Sequence, residues 1–214
     1  MAAPGLRERK KAQTRELIAE TARRLFAERG FERVSVAEIA RVADVSEKTV
    51  FNYFPTKEDL VYWRLESFEA ELLTTIRERA VGESVLTAFG RFVKAQRGLL
   101  ARVDPDARER LAGLTRMIAS SPSLLTREQQ IFAGYTDSLA VLLADETGAP
   151  EGDLRPWVVA NALMGVHRAL IEYTRGRIVA GISHTRLRTE VVAAADRALE
   201  LLEAGLSDYA VKQR

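Results

Sequence analysis

The chain contains no cysteine and only two histidines, His167 and His184. The first absence excludes disulfides, thiolate metal sites and a cysteine nucleophile. The second leaves little for imidazole chemistry, because the two histidines are not the i, i+4 pair of a zinc protease. No Gly-rich phosphate loop follows a strand and no Gly-x-Ser-x-Gly elbow occurs, so a non-enzymatic protein without metal or cofactor is expected. No apolar run approaches the roughly 18 uncharged residues of a membrane helix, and the N-terminus lacks a signal peptide's apolar core. A soluble cytoplasmic protein with no membrane partner is the resulting expectation. Alternating strands joined by hairpin turns are also missing, which argues against a sheet.

Charge of one sign is scarce too: the net charge is +2 over 214 residues. Its distribution says more than its total. Residues 1–64 hold 13 Lys/Arg against 10 Asp/Glu, whereas the remainder holds 19 against 20. Arg7, Arg9, Lys10, Lys11 and Arg15 face only Glu8 within the first fifteen residues. A short basic arm of this kind suits contact with phosphates, although a solvated terminus has the same composition.

What is present is helical periodicity almost throughout, with apolar residues three and four apart and Pro or Gly in short breaks. The first helix is predicted over 9–29, with Leu17, Ile18, Thr21, Ala22, Leu25 and Phe26 inward and Gly30 as its stop. Ser35 and Glu38 form a capping-box pattern for a short helix ending near Ala43. Ser46 caps another, ended by Pro55, and Thr56 caps a fourth with Glu58 and Asp59 in its first turn. Longer helices follow at about 57–80, 84–102, 105–119, 124–147, 153–180 and 185–209, starting near Asp104-Pro105, Ser123, Asp153 and Ser183. The expectation is an all-α chain of about nine helices, with a three-helix N-terminal domain over 1–56 and a larger helical domain over 57–214.

The segment from Phe31 to Phe54 is the informative one, because it holds two short helices separated by a tight turn. Ile39 and Ala40 from the first, with Val45, Val50 and Phe54 from the second, can fill the angle between them. This is helix-turn-helix geometry, which presents the second helix to a DNA major groove about 12 Å wide. Leu25-Phe26-Ala27-Glu28-Arg29-Gly30-Phe31, Ser35-Val36-Ala37-Glu38-Ile39-Ala40, Val45-Ser46 and the run from Thr49 through Phe54-Pro55-Thr56-Lys57-Glu58 to Leu60 closely resemble the TetR family. The resemblance covers roughly residues 10–63. It implies a bacterial repressor that binds a palindromic double-stranded DNA operator as a homodimer and is released by a small-molecule effector.

Residue chemistry and that resemblance together suggest roles. Glu47 can accept from cytosine and Lys48 can donate to guanine, while Asn52 can reach a base edge or a phosphate. Thr49 and Tyr53 can contact phosphates through their hydroxyls, and Ser35 and Ser46 either hold a phosphate or serve only as caps. Lys57 adds charge at the start of the fourth helix, and Lys11 and Arg15 add electrostatic contacts. The aromatic residues Phe51, Tyr53 and Phe54 can equally be core. By resemblance, the middle helices enclose an effector cavity, with Phe68, Phe89, Phe92, Met117, Phe132, Trp157 and Met164 as apolar lining. Tyr135, Asn161, His167 and Arg168 are its candidate polar anchors. The last two helices, with apolar faces including Val158, Ala162 and Val166 and then Leu187, Val191 and Ala195, are expected to form the dimer interface or plain core. The competing reading is a helical adaptor whose helix-turn-helix no longer binds DNA.

Overall fold

The computed structural model describes residues 5–63, 65–95, 107–206 and 209–212. Every regular element among them is an α-helix and none is a strand, as the periodicity predicts. The chain divides into two compact units, Met1–Glu66 with Arg116–Glu128, and Ser67–Thr115 with Gln129–Arg214.

In the first unit, helix α1 spans Leu6–Arg29 and buries Ile18, Ala19, Thr21, Ala22, Leu25 and Phe26. Leu17 departs from the expected inward stripe and is 52% exposed. Gly30, at φ +84°, stops the helix and donates its N–H to the Phe26 carbonyl at 2.9 Å. Helices α2 (Val36–Val42), α3 (Glu47–Tyr53) and α4 (Asp59–Tyr62) follow. Around α1 they contribute buried Ile39, Ala40, Val50, Phe54 and Leu60, each large apolar side chain worth roughly 1.5–3 kcal/mol when fully withdrawn from water.

The start of α4 is locked more tightly than a single cap would achieve. Asp59 Oδ2 accepts from the Thr56 N–H and from its hydroxyl, both at 2.9 Å, while Thr56 Oγ1 accepts from the Asp59 N–H at 3.3 Å. The other Asp59 oxygen receives Arg127 Nε at 2.8 Å. Two further bonds join this unit's helices to its Arg116–Glu128 stretch. The Tyr62 hydroxyl donates to the Leu124 carbonyl at 3.0 Å, and Ser121 Oγ donates to Glu32 Oε1 at 2.6 Å.

A single helix was expected over 57–80. The structure instead describes α4 and then α5 (Leu65–Arg77), and Arg64 between them lies outside the described residues. Helix α6 (Val85–Lys94) ends where Ala95 takes an extended backbone; the rest of the predicted 84–102 helix, like the predicted start at Asp104-Pro105, lies outside the described residues. Helix α7 spans Ala107–Ala119. Helix α8 (Pro122–Thr147) begins before the expected Ser123, since a proline lacks only an N–H that the first turn leaves unused. Helices α9 (Arg155–Val179) and α10 (His184–Leu206) complete the described elements.

The second unit's core comes from α5, α6, α9, α10 and the longer part of α8. It includes Phe89, Phe92, Leu139, Leu143, Leu163 and Leu187. Helix α10 packs on both α6 and α9. Gly90 allows close approach there, because a Cβ at that position would sit 3.0 Å from Leu199 Cδ1. Beyond α10, the chain returns to the α5–α6 turn: Gly82 N–H donates to the Lys212 carbonyl at 3.0 Å, and Lys212 N–H to the Glu83 carbonyl at 3.3 Å.

Arg79 organises that junction. Only 3% exposed, it donates to the carbonyls of Ile76, Glu83 and Ala210 and pairs with Glu146 at 2.7 Å. Removing the guanidinium strands three carbonyls and a carboxylate together. We expect Arg79→Ala to destabilise the protein by about 3 kcal/mol, read as a lowered urea midpoint, since breaking a buried pair leaves its partner uncompensated. An unchanged midpoint would show that solvent replaces these bonds without loss.

Candidate nucleic-acid interface

The interface is built on α3, a seven-residue helix whose two ends are fixed by its neighbours. Before it, α2 starts at Ser35, whose Oγ accepts from the Glu38 N–H at 3.1 Å. The Glu38 carboxylate does not follow the expected capping-box pattern; it pairs with Arg29 of α1. The turn after α2 is a Schellman motif: Val45 N–H reaches back to the Ala40 carbonyl at 2.9 Å and Asp44 N–H to Arg41 at 3.4 Å. Asp44 makes this possible by adopting φ +55°, a left-handed conformation that Asp tolerates better than most L-residues.

The chain then enters α3 through Ser46, whose Oγ accepts from the Thr49 N–H at 3.0 Å and lies 2.8 Å from the Thr49 hydroxyl. Within α3, Val50 points into the core, and Phe54 just beyond it does the same. That register leaves Glu47, Lys48, Phe51 and Asn52 exposed together, with Thr49 and Tyr53 half-buried at the flanks. Positions i, i+1, i+4 and i+5 of a helix share one face, so these four side chains form a continuous outer surface.

The remaining DNA-contact candidates occupy distinct places. Ser35 and Ser46 are exposed caps, and Lys11 is exposed on α1. Arg15 is half-buried, its guanidinium carbon 5.2 Å above the Phe54 ring. Lys57 is likewise half-buried, with Nζ 4.1 Å from the centre of the Phe31 ring. Burial pushes the pKa of this ammonium below its ordinary value, against the opposing pull of Glu32 and Glu58. Both cations therefore steady the aromatic packing beneath the surface as well as carrying charge.

Sequence reasoning missed Phe51. It is 47% exposed on the outer face, a position for which the sequence left core packing open and assigned no contact. The available signal was register: once Val50 and Phe54 fill the interior, Phe51 falls in line with Glu47 and Lys48.

The effector-cavity candidates do not all come together. Phe68 meets Phe92 at 5.0 Å, Tyr135 at 5.5 Å and the His167 ring at 4.4 Å between ring centres. Phe132 joins the same group through Tyr135 and His167. Phe89 and Met164 are buried in this unit. Trp157, Asn161 and Arg168 instead lie exposed on α9, where the Asn161 amide turns back to the Trp157 carbonyl at 2.8 Å. Met117, half-buried on α7, belongs to the first unit.

Known proteins carry the same plan. Residues 18–62 match the family described as bacterial regulatory proteins, tetR family, and residues 83–207 match the family described as the MftR C-terminal domain. The HTH-type transcriptional regulator TcmR of Streptomyces glaucescens is 28% identical over 173 residues, covering 78% of this chain and 75% of TcmR. The MftR protein of Mycobacterium tuberculosis is 27% identical over 172 residues, covering 77% of this chain and 81% of its own length. Among solved structures, Salmonella enterica GusR aligns over 91% of this chain and 96% of its own, with TM-score 0.51 and 22% identity. FadR from Bacillus halodurans, a fatty acid degradation regulator, aligns over 89% and 98% with TM-score 0.51 and 23% identity. The two structures share the fold with this chain, and the two sequence matches together span its N-terminal and C-terminal parts. The chain belongs to the TetR family and is a DNA-binding transcriptional regulator.

Proposed function

We propose that the protein is a repressor that binds a palindromic operator as a homodimer and leaves it when a small-molecule effector binds. The observation that carries this reading is the outer face of α3, where Glu47, Lys48 and Asn52 stand exposed on a helix anchored by a serine cap and a buried Phe54. In the proposed complex, residues 1–56 form the DNA-binding domain. Lys48 donates to guanine, Glu47 accepts from a cytosine amine, and Asn52 reads a base edge. Thr49, Tyr53, Ser35, Ser46, Lys57, Lys11 and Arg15 set the position through phosphates and their field.

Residues 57–214 then serve dimerisation and effector binding. A second copy on α9 and α10 would cover Val158, 63% exposed, and Leu201, 84% exposed, which otherwise cost free energy in water. Gly165 and Ala169 are exposed on the same helix as Val158 and permit close helix approach. For the effector, the ring cluster of Phe68, Phe92, Phe132, Tyr135 and His167 favours an apolar molecule that rings can flank. Release requires that this molecule bind more tightly to the dimer form that does not fit the operator.

Selection from random duplexes tests the DNA reading. We expect a palindromic winner whose affinity falls with salt at a log–log slope of about −4 or steeper. Lys48→Ala should weaken that winner about tenfold or more while sparing low-salt binding to unrelated DNA. No enrichment by folded protein would leave the adaptor reading instead. For the dimer, Val158→Asp should produce monomers in sedimentation and cut operator affinity on the order of a hundredfold, as two half-sites cease to act together. A dimeric Val158→Asp protein would move the interface elsewhere.

A further inference from the structure

Phe51 poses a problem that the contacts assigned above leave unsolved. Its ring is 47% exposed in the middle of the α3 outer face, flanked by exposed Lys48 and Asn52. The core is already served there by Val50 and Phe54, each 1% exposed. A phenyl ring has no donor or acceptor, so it can satisfy neither a phosphate oxygen nor the polar edge of a base. Polar residues would be cheaper at such a position unless the ring meets an apolar partner when the surface is covered.

Covered by a major groove, the surface meets only one apolar feature presented by unmodified base pairs: the thymine C5-methyl group. We infer that Phe51 is a specificity-determining residue that reads the methyl of one thymine in each operator half-site. The inference rests on the DNA-binding reading above. Its neighbour Asn52 has the geometry to pair with adenine N6 and N7, so the two side chains together favour an A·T-containing stretch. Lys48, three residues before Phe51 on the same face, draws the ring towards the groove by attraction to the polyanion. The specificity is of a kind no hydrogen bond supplies: cytosine and uracil lack the methyl altogether, so discrimination comes from apolar burial alone.

The test replaces thymines of the selected operator by deoxyuridine, one symmetric pair at a time, and measures affinity of the full-length protein by fluorescence anisotropy. The native protein should lose about fourfold per methyl at one thymine of each half-site, or roughly fifteenfold for the pair. Phe51→Ala should bind the thymine and deoxyuridine forms equally at that position while holding unrelated duplex at low salt as the native protein does. Phe51→Gln carries the same expectation and serves if the alanine variant does not fold. Equal deoxyuridine sensitivity in the native protein and the Phe51 variants, or no sensitive thymine in an operator that is otherwise read specifically, overturns the inference. Selection that enriches no sequence is a different failure: it removes the DNA-binding reading and this assignment with it.

Discussion

A seven-residue helix closes too few internal hydrogen bonds to persist alone in water. Helix α3 therefore exists by the grace of its surroundings, and its outer face inherits whatever precision they supply. Ser46 satisfies an otherwise unpaired N–H at the start, a contact worth about 1 kcal/mol. The left-handed Asp44 fixes the angle at which the chain leaves α2. Val50 and Phe54 hold the rotation about the helix axis, and the Arg15 guanidinium lies over the Phe54 ring. Together these constraints decide which of the seven side chains look outward, and base reading has no meaning until that is decided.

The polar bonds of the first unit extend the same logic. A buried carboxylate such as Asp59 is costly unless its lone pairs are taken, and here Thr56 takes one oxygen and Arg127 the other. With Tyr62 on the Leu124 carbonyl and Ser121 on Glu32, the beginning of α8 is joined to both α4 and the loop before α2. These bonds are directional, unlike apolar contacts, so they specify one arrangement rather than a range of similar ones.

Local chemistry was well expressed in the sequence. The caps at Ser35 and Ser46, the stop at Gly30 and the two short helices follow from signals only three or four residues apart; Thr56, expected to cap the fourth helix, bonds the Asp59 N–H, but the N-cap position of α4 is Glu58. Side-chain orientation was less legible. Leu17 matches the apolar period of α1 yet faces outward, and Glu38 has the spacing of a capping box yet pairs with Arg29. For Glu38 a neighbour on another helix, Arg29, decides rather than the local pattern. The bonds from Asp59 to Arg127 and from Arg79 to Ala210 connect residues 68 and 131 positions apart, beyond any local pattern. The effector-cavity candidates fared likewise: periodicity marks Phe68, Phe92, Phe132 and Tyr135 as inward, but it cannot separate a ring that meets the cluster from Trp157 or Arg168 on the exposed side of α9.

The Arg79 junction also imposes an order on biosynthesis. Its guanidinium and the Gly82–Glu83 turn are translated early, yet their partners near Ala210 and Lys212 emerge only 131 residues after Arg79. Until then the guanidinium has only its earlier partners, the Ile76 and Glu83 carbonyls and the Glu146 carboxylate, and the N–H destined for Ala210 must stay hydrated. Closing so long a loop costs only slightly more entropy than closing a shorter one, so the delay is one of time rather than of free energy. The second unit thus acquires these polar contacts only after the Ala210–Lys212 stretch has been made, and a chain truncated before Ala210 carries an unfinished core that quality-control proteases can recognise.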